Sequence, residues 1–205
     1  MELLRSGRQA SAEETRRKLL EAALHQFSAR PYAEVTVSDV ARTAGVAHGL
    51  VSHHFGHKQG LYLEVLRETN RRIRETYRTD PEAAVGEQVR QLYRAHLTYL
   101  AEHDELAGLL LPGTDASLQV GEEFDAVRTA CAREVWLLLG LPLERPGSAM
   151  VLASFARAAD ELTFRWLGVC GRPEIDVIVE VLVDLLTGAL HAVRTLDPGI
   201  DVPSL

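Results

Sequence analysis

The sequence predicts an all-α protein in two parts: a small N-terminal three-helix unit, joined by a fourth helix to a larger C-terminal helical unit. Three observations predict it. Apolar residues recur at three- and four-residue spacing along most of the 205-residue chain and do not alternate as a half-buried strand requires. Pro and Gly cluster between those runs, where they end helices. The 22 residues from Thr36 to His57 have the spacing of a helix-turn-helix. In it Val40, Ala41 and Ala44 face one side of a short helix, Gly45 supplies a left-handed turn, and Val46 and Val51 pack the next helix back across it. The small side chain of Ala41 lets the two helices approach closely.

Taken in order, residues 1–10 read as a flexible N-terminal arm, and Ser11 to Glu14 have capping-box spacing at the start of the first helix. Leu19, Leu20, Ala23, Leu24 and Phe27 form its apolar stripe, and Arg30-Pro31 ends it. Thr36 caps the second helix, with Asp39 in the place of the reciprocal acid. The third helix is expected from Ala47 to His54. A fourth begins near Lys58, carries Leu61, Tyr62, Val65, Leu66 and Ile73 inward, and is broken at Thr79-Asp80-Pro81, the expected hinge. Beyond it, helical patterns run over about 83–102, 104–110, 121–139, 148–167 and 174–195. Pro and Gly between Leu111 and Asp115, Gly140 and Gly147, and Gly168 and Pro173 separate them. The expected organisation is therefore an arm at 1–10, a helix-turn-helix domain at 11–57, a connecting helix at 58–80 and a larger helical domain at 81–205.

Composition narrows the function. A hydrophobic content of 46% supports a sizeable core, and the net charge of −7 argues against a wholly basic nucleic-acid coat. The charge is uneven, however. Residues 1–60 hold 8 Lys and Arg against 6 Asp and Glu, while the remainder holds 14 against 23. A cationic head on an acidic body suits phosphate binding at one end and self-association or small-molecule binding at the other. The two cysteines, Cys131 and Cys170, lack metal-site or disulfide-framework spacing, and His96 and His103 lie too far apart for an evident chelate, so neither a metal nor a cofactor is expected. No stretch has the length of a signal peptide or a membrane span, and a reducing cytoplasm is the expected compartment.

The stretch from about Ser11 to Leu66 resembles the DNA-binding domain of the TetR family of bacterial transcriptional regulators. The resemblance is carried by Thr36-Val-Ser-Asp-Val-Ala41, Ala44-Gly-Val46, His53-His-Phe55 and Lys58-Gln-Gly-Leu61. It implies a homodimer whose C-terminal domain binds a small molecule and thereby releases DNA. Two positions depart from the family pattern. Ser52 stands where a tyrosine usually meets a phosphate, and His57 stands where Ser or Asp usually caps the next helix.

A helix laid in the major groove presents its N-terminal side chains to base edges, which makes Ala47, His48, Gly49 and Leu50 the expected base-facing residues. The His48 ring is able to donate to guanine, and Leu50 to pack on a thymine methyl. Thr36, Ser38, Arg42, Ser52, His53 and Lys58 are the expected phosphate contacts, Lys58 together with the open N–H groups of its helix start. His54 is expected to pack against the first helix. Tyr93, His96, Tyr99, Phe124, Cys131, Trp136, Glu161, Arg165 and Trp166 offer aromatic walls and a few polar groups for an effector pocket, although each also reads as plain core or as a surface ion pair.

The last helix is apolar over most of its circumference, with Asp176, Glu180, Asp184 and His191 on one narrow stripe. With helix 148–167 it is expected to form a two-fold four-helix interface through Phe155, Leu162, Val179, Leu182, Leu186 and Leu190. The function expected is that of a non-enzymatic regulator, a repressor released from a palindromic operator by an unknown small-molecule effector. A DNA-binding regulator without such an effector is the alternative, and a small helical enzyme using His53 and His54 the remote one. Against the enzyme, the chain lacks the short motifs of zinc, phosphate-loop or nucleophile chemistry, and adjacent helical histidines point about 100° apart.

Overall fold

The computed structural model describes residues 2–103, 106, 109, 126–127 and 129–205, with side chains from Gln9 onward. Among these residues the secondary structure is helical, with no strand. The elements are α1 (Glu2–Ala29), a 3-10 turn (Tyr32–Glu34), α2 (Val37–Ala44), α3 (Gly49–Phe55), α4 (Lys58–Thr76), α5 (Val85–Glu102), α6 (Ala130–Leu138), α7 (Pro146–Gly168) and α8 (Ile175–Leu196). The helix expected at 104–110 and the first part of the one expected at 121–139 lie outside the described residues. None of the described helices is long and apolar enough to cross a membrane.

Contacts divide the chain into two compact units, one reaching to Thr69 and the other beginning at Asn70. The division falls inside α4, eleven to twelve positions before the Pro81 break expected to mark the hinge. The reason is packing. Leu61, Tyr62, Val65 and Leu66 are all buried, and Tyr62 donates to the Leu109 carbonyl at 3.0 Å. The start of α4 therefore belongs to the first core rather than to a free connector.

In the first unit α1 packs on α2, and α2 on α3. Leu19, Ala23 and Phe27 of the expected stripe are buried, and Phe27 meets Tyr62 edge-on at 4.9 Å between ring centres. The backbone is already helical from Glu2, in place of the expected arm at 1–10. Ser11 is consequently an interior helical residue whose carbonyl accepts from Thr15 Oγ1 at 2.9 Å. The capping box expected at Ser11 to Glu14 does not form, because an interior Ser has no orphan N–H to accept. Glu14 pairs instead with Arg17 at 2.7 Å, one turn on.

In the second unit α8 packs on α7 and α5, and α6 on α5 and α7. Val89, Leu97, Val135, Trp136, Val179, Leu186 and Val193 are fully enclosed, each such aliphatic side chain contributing about 1.5–3 kcal/mol of burial. Asp176 and Glu180, on the polar stripe of α8, pair with Arg94 and Arg90 of α5, each at 2.8 Å. Asp197, just past α8, accepts from the Ser148 backbone N–H at 2.8 Å and so satisfies an orphan donor in the first turn of α7. Ser148 Oγ in turn accepts from Trp136 Nε1 at 3.0 Å.

The interface expectation needs correction. Phe155, Val179, Leu182, Leu186 and Leu190 are buried in the core of a single chain, and Leu162 is partly buried against the same core. The exposed large apolar residues of α8 are Val177, Val181 and Leu185, one turn apart, and Leu196 at its end. An almost uniformly apolar helix does not disclose its own phase: α5 and α7 select the face that is buried.

Candidate functional site

The head is organised by local backbone chemistry. Thr36 Oγ1 accepts from the Asp39 N–H at 3.1 Å, and Asp39 Oδ2 accepts from the Thr36 N–H at 3.1 Å, closing the expected capping box on α2. The Thr36 hydroxyl and backbone N–H, with Arg42 and Arg30 beside them, hold the Asp39 carboxyl down to about 2. Gly45 follows α2 at φ 65°, the left-handed conformation expected of it, and its N–H returns to α2 carbonyls. These two devices set where α2 starts and stops, and so aim α3.

Ala47 and the N-cap His48 ahead of α3, and Gly49, Ser52 and His53 on it, are exposed and Leu50 is half-buried, while Val51 and Phe55 are buried beneath them. His48 and Ser52, like Gly49 and His53, are four residues apart and share a face. Ser38 Oγ on α2 lies 3.2 Å from His48 Nδ1 across the turn. That contact fixes the His48 ring and leaves Nε2 directed elsewhere, which pairs a residue expected to read bases with one expected to meet phosphate. Thr36, Ser38 and Arg42 are exposed at the start of α2 and beyond it. Arg42 is bonded to Asp39, yet its side chain remains 77% exposed, which leaves most of its guanidinium edge open to an anion.

Three features of the α3–α4 corner were not legible in the sequence. His57 is exposed, and its Nδ1 accepts the Gly60 backbone N–H at 3.0 Å, so the ring takes over the capping role of the usual Ser or Asp. That bond occupies one N–H that was expected to be open for phosphate. Gly60 approaches the preceding helix so closely that a Cβ there would lie 2.3 Å from the Phe55 carbonyl oxygen. Lys58 carries its ammonium 4.1 Å above the Tyr32 ring and 3.4 Å from the Ala33 carbonyl, a partly desolvated position on the flank of the head. His54, expected to pack against the first helix, is half-buried and is held below the usual histidine range by desolvation, with smaller contributions from His53 and from Arg16 of α1.

The residues expected to line an effector pocket separate into groups. Tyr93, His96 and Cys131 line a small cavity of about 30 Å³ between α5, α6, α7 and α8. Tyr99 stacks on His103 at 4.2 Å and lines an open surface groove of about 360 Å³ instead. Trp136 and Trp166 are buried; Trp166 Nε1 donates to the Pro173 carbonyl at 2.8 Å. Glu161 and Arg165 pair with each other at 2.7 Å on the exposed side of α7. None of these last four lines the cavity. Phe124 lies outside the described residues. The cavity also takes Phe155, Asp160 and Thr163 from α7, which sequence reading did not select for it. Only the packing of α7 against α5 brings them there.

Inside this site, burial pushes the His96 ring down to about 4 and the Cys131 thiol up to about 12, so both are neutral at physiological pH. The Tyr77 hydroxyl lies 3.1 Å from His96 Nδ1, and desolvation raises it well above the usual phenol range. Tyr93 Oη is buried and without a hydrogen-bond partner. Among the described residues no cluster of His, Cys, Asp and Glu has the makings of a metal site.

Comparison with known proteins places the head. Residues 19–65 match the family described as bacterial regulatory proteins, tetR family. The HTH-type transcriptional regulator BetI of Agrobacterium fabrum is 46% identical over 59 residues, which are 29% of this chain and 29% of that protein. The HTH-type transcriptional regulator SrpR of Pseudomonas putida is 45% identical over 58 residues, 28% of this chain and 25% of that protein. The matched stretch thus spans less than a third of either curated relative. Over the whole fold, a tetR-family transcriptional regulator from Streptomyces coelicolor superposes with a TM-score of 0.65 at 20% identity, covering 91% of this chain and 84% of that one. Residues 19–65 thus match the TetR family of bacterial regulators, and the chain as a whole shares the fold of the Streptomyces coelicolor tetR-family regulator.

Proposed function

We propose that the chain is a non-enzymatic, DNA-binding transcriptional regulator that acts as a homodimer in the cytoplasm, repressing from a palindromic operator until a small molecule releases it. The observation that carries this reading is the exposed face of α3, where His48, oriented by Ser38, stands beside Gly49, Ser52 and His53 on a helix aimed by the Thr36 box and Gly45. A face of this size enters a major groove, with Ala47, His48, Gly49 and Leu50 toward base edges and Thr36, Ser38, Arg42, Ser52, His53 and Lys58 toward phosphates.

Dimerisation is assigned to the apolar residues that one chain leaves open. Val177, Val181 and Leu185 lie one turn apart on α8, and Gly188 continues the stripe with nothing within 4 Å of its Cβ position, which lets a second helix come close.

Selection of bound fragments from random duplexes tests the reading. The expected product is an inverted repeat whose half-sites lie about 34–36 Å apart, one turn of the double helix. Val181→Glu is expected to bind single half-sites weakly and to run as a monomer. A pool that shows no enrichment after repeated rounds in dilute buffer overturns the assignment.

One observation favours a second reading. As bounded by the described residues, the inner cavity of about 30 Å³ has room for about one water, far below the usual ligand pocket of about 300–1,000 Å³. A regulator controlled by a protein partner, or acting constitutively, needs no larger space.

A further inference from the structure

Side chains that cap helices are ordinarily indifferent to pH near neutrality, and the one at the α3–α4 corner is not. His57 stands immediately before α4, and its Nδ1 accepts the Gly60 backbone N–H at 3.0 Å, which satisfies one orphan donor of the first turn. An imidazole nitrogen accepts only while it is unprotonated, and in the charged ring both nitrogens are donors. A serine or threonine cap carries no such condition, and an aspartate cap loses its charge only near about pH 4. Protonation also sets a cation at a helix N-terminus, where the backbone dipoles oppose it. Histidine is the side chain whose charge changes nearest neutrality.

The cap holds a tight corner. The His57 N–H donates to the Phe55 carbonyl at 2.8 Å, Gly56 between them takes φ 73°, and Gly60 approaches that same carbonyl too closely for a Cβ. Phe55 and Leu61 are buried on either side. The end of α3 and the start of α4 thus meet at one carbonyl, so a loosened first turn of α4 reaches the helix that carries Gly49, Ser52 and His53. A second histidine at this corner resists protons. His54, half-buried in the last turn of α3, has its ring 5.1 Å from that of His53, and desolvation, with His53 and Arg16 beside it, holds it below the usual histidine range. The charged and titratable groups whose contacts place them here are Arg16 of α1, Glu64 of α4, His53 and His54 of α3, and Lys58, whose ammonium is turned to the Tyr32 ring and the Ala33 carbonyl. Of these only Glu64 is acidic, and it is already paired with Arg16 and Arg67. A proton on either histidine finds no idle carboxylate among them.

We propose that the α3–α4 corner is a proton-operated latch: neutral His57 caps α4 and seats α3, and protonation of His57 opens the cap, so that mild acid costs the head its preference for one DNA sequence. The general attraction to DNA survives, because an added positive charge favours the phosphates of any duplex. The preference does not, because contacts to base edges depend on how α3 is seated. The proton dependence of the cap stands by itself, and its effect on sequence preference rests on the regulator reading.

The test compares the full chain with His57→Ser, a cap that does not titrate, and His57→Ala, which has none, at pH 7.5 and 5.5 and one ionic strength. His48, His53 and His54 are common to all three proteins, so differences between them report position 57. In nitrogen-15 spectra the Gly60 amide of the parent is expected to shift together with the protonation of the His57 ring, and that of His57→Ser to stay in place. Anisotropy of the selected operator and a scrambled duplex gives the preference. At pH 7.5 the parent is expected to match His57→Ser within about twofold and to exceed His57→Ala by about fivefold, the equilibrium factor of a typical cap. At pH 5.5 the parent is expected to fall level with His57→Ala, about fivefold behind His57→Ser, while holding the scrambled duplex no more weakly than His57→Ser does. The proposal is overturned if the Gly60 amide does not follow the ring, if the parent keeps level with His57→Ser at pH 5.5, or if operator and scrambled duplex are lost in equal proportion. A Gly60 amide that follows the ring in a protein with no sequence preference at either pH retains the proton-operated cap and removes the regulator reading.

Discussion

The two units spend their polar groups in opposite directions. The exposed surface of the head is carried by two short helices, α2 and α3, whose caps and turns turn polar side chains outward, as with Ser38, His48 and His53. The body is built of long helices that enclose theirs: Tyr93, Thr163 and Ser148 are buried. A surface that reads another molecule needs placement of the backbone, which a few short-range hydrogen bonds supply. An enclosed site needs the convergence of several helices, which no short stretch of sequence specifies.

The contrast is sharpest at two glycines. At Gly60 an added Cβ meets a backbone carbonyl at 2.3 Å, and the α3–α4 corner has no way to yield. Gly60→Ala is expected to destabilise the head by about 3 kcal/mol or more and to abolish DNA binding with it. At Gly147 the first obstacle is the Asp197 carboxylate, a side chain that is able to swing away at the cost of its bond to the Ser148 N–H, and the second is Leu196 Cβ at 2.9 Å, which a shift of a few tenths of an ångström relieves. Gly147→Ala is expected to cost the body about 1–2 kcal/mol. Urea unfolding of the two variants, followed by tryptophan emission for the body and by circular dichroism for the whole, ranks them. A larger loss at Gly147 would reverse the contrast.

Between those two effects lies a pH dependence of the body. The unfolded chain protonates His96 near its ordinary 6.5, whereas the folded chain resists until about 4. The neutral ring is the folded form, so stability from this group is complete above that window and falls as pH drops from 6.5 to 4, by at most about 3 kcal/mol for one proton. The Tyr77 hydroxyl meets the ring and is neutral across this range, and Cys131, also neutral, and the Asp160 carboxyl line the same cavity. His96→Asn is expected to flatten that slope in urea titrations at pH 7.5, 5.5 and 4.5, and an unaltered slope removes His96 as its source.

The smallest effect expected is at the head's cap. Thr36→Ala removes the side-chain half of the capping box and is expected to cost about 1 kcal/mol, with a weaker loss of DNA affinity. Asp39, held down to about 2 from an ordinary 3.8, keeps its share of the cap above pH 4 and loses it as pH falls toward 2. In Thr36→Ala that acid limb is expected to move up toward the ordinary carboxylate value.

What was legible in the sequence follows the same division. Thr36, Asp39 and Gly45 act on residues within four positions of themselves, and the structure has the box and the left-handed turn where the spacing predicts them. The ends of α5, α7 and α8 fall within two residues of expectation for the same reason, since Pro and Gly act locally. Ser11 shows the limit, because a capping pattern has meaning only where a helix begins, and the backbone is helical from Glu2. His57 shows another: a histidine caps only when its ring is turned back on Gly60, which residue type does not reveal. The face of α8 left open, and the gathering of Asp160, Thr163 and Phe155 around Tyr93, depend on how whole helices pack, and no spacing rule reaches that far.

The central claim is that the α3 face reads DNA through His48. Its most direct test is fluorescence anisotropy of the selected operator and a scrambled duplex at one salt concentration, for the parent protein, His48→Ala and Ser38→Ala. The parent is expected to prefer the operator by about 10³-fold or more, His48→Ala to lose most of that preference while holding the scrambled duplex equally well, and Ser38→Ala to fall between them. Equal preference in the parent and in His48→Ala, or no preference in the parent, contradicts it.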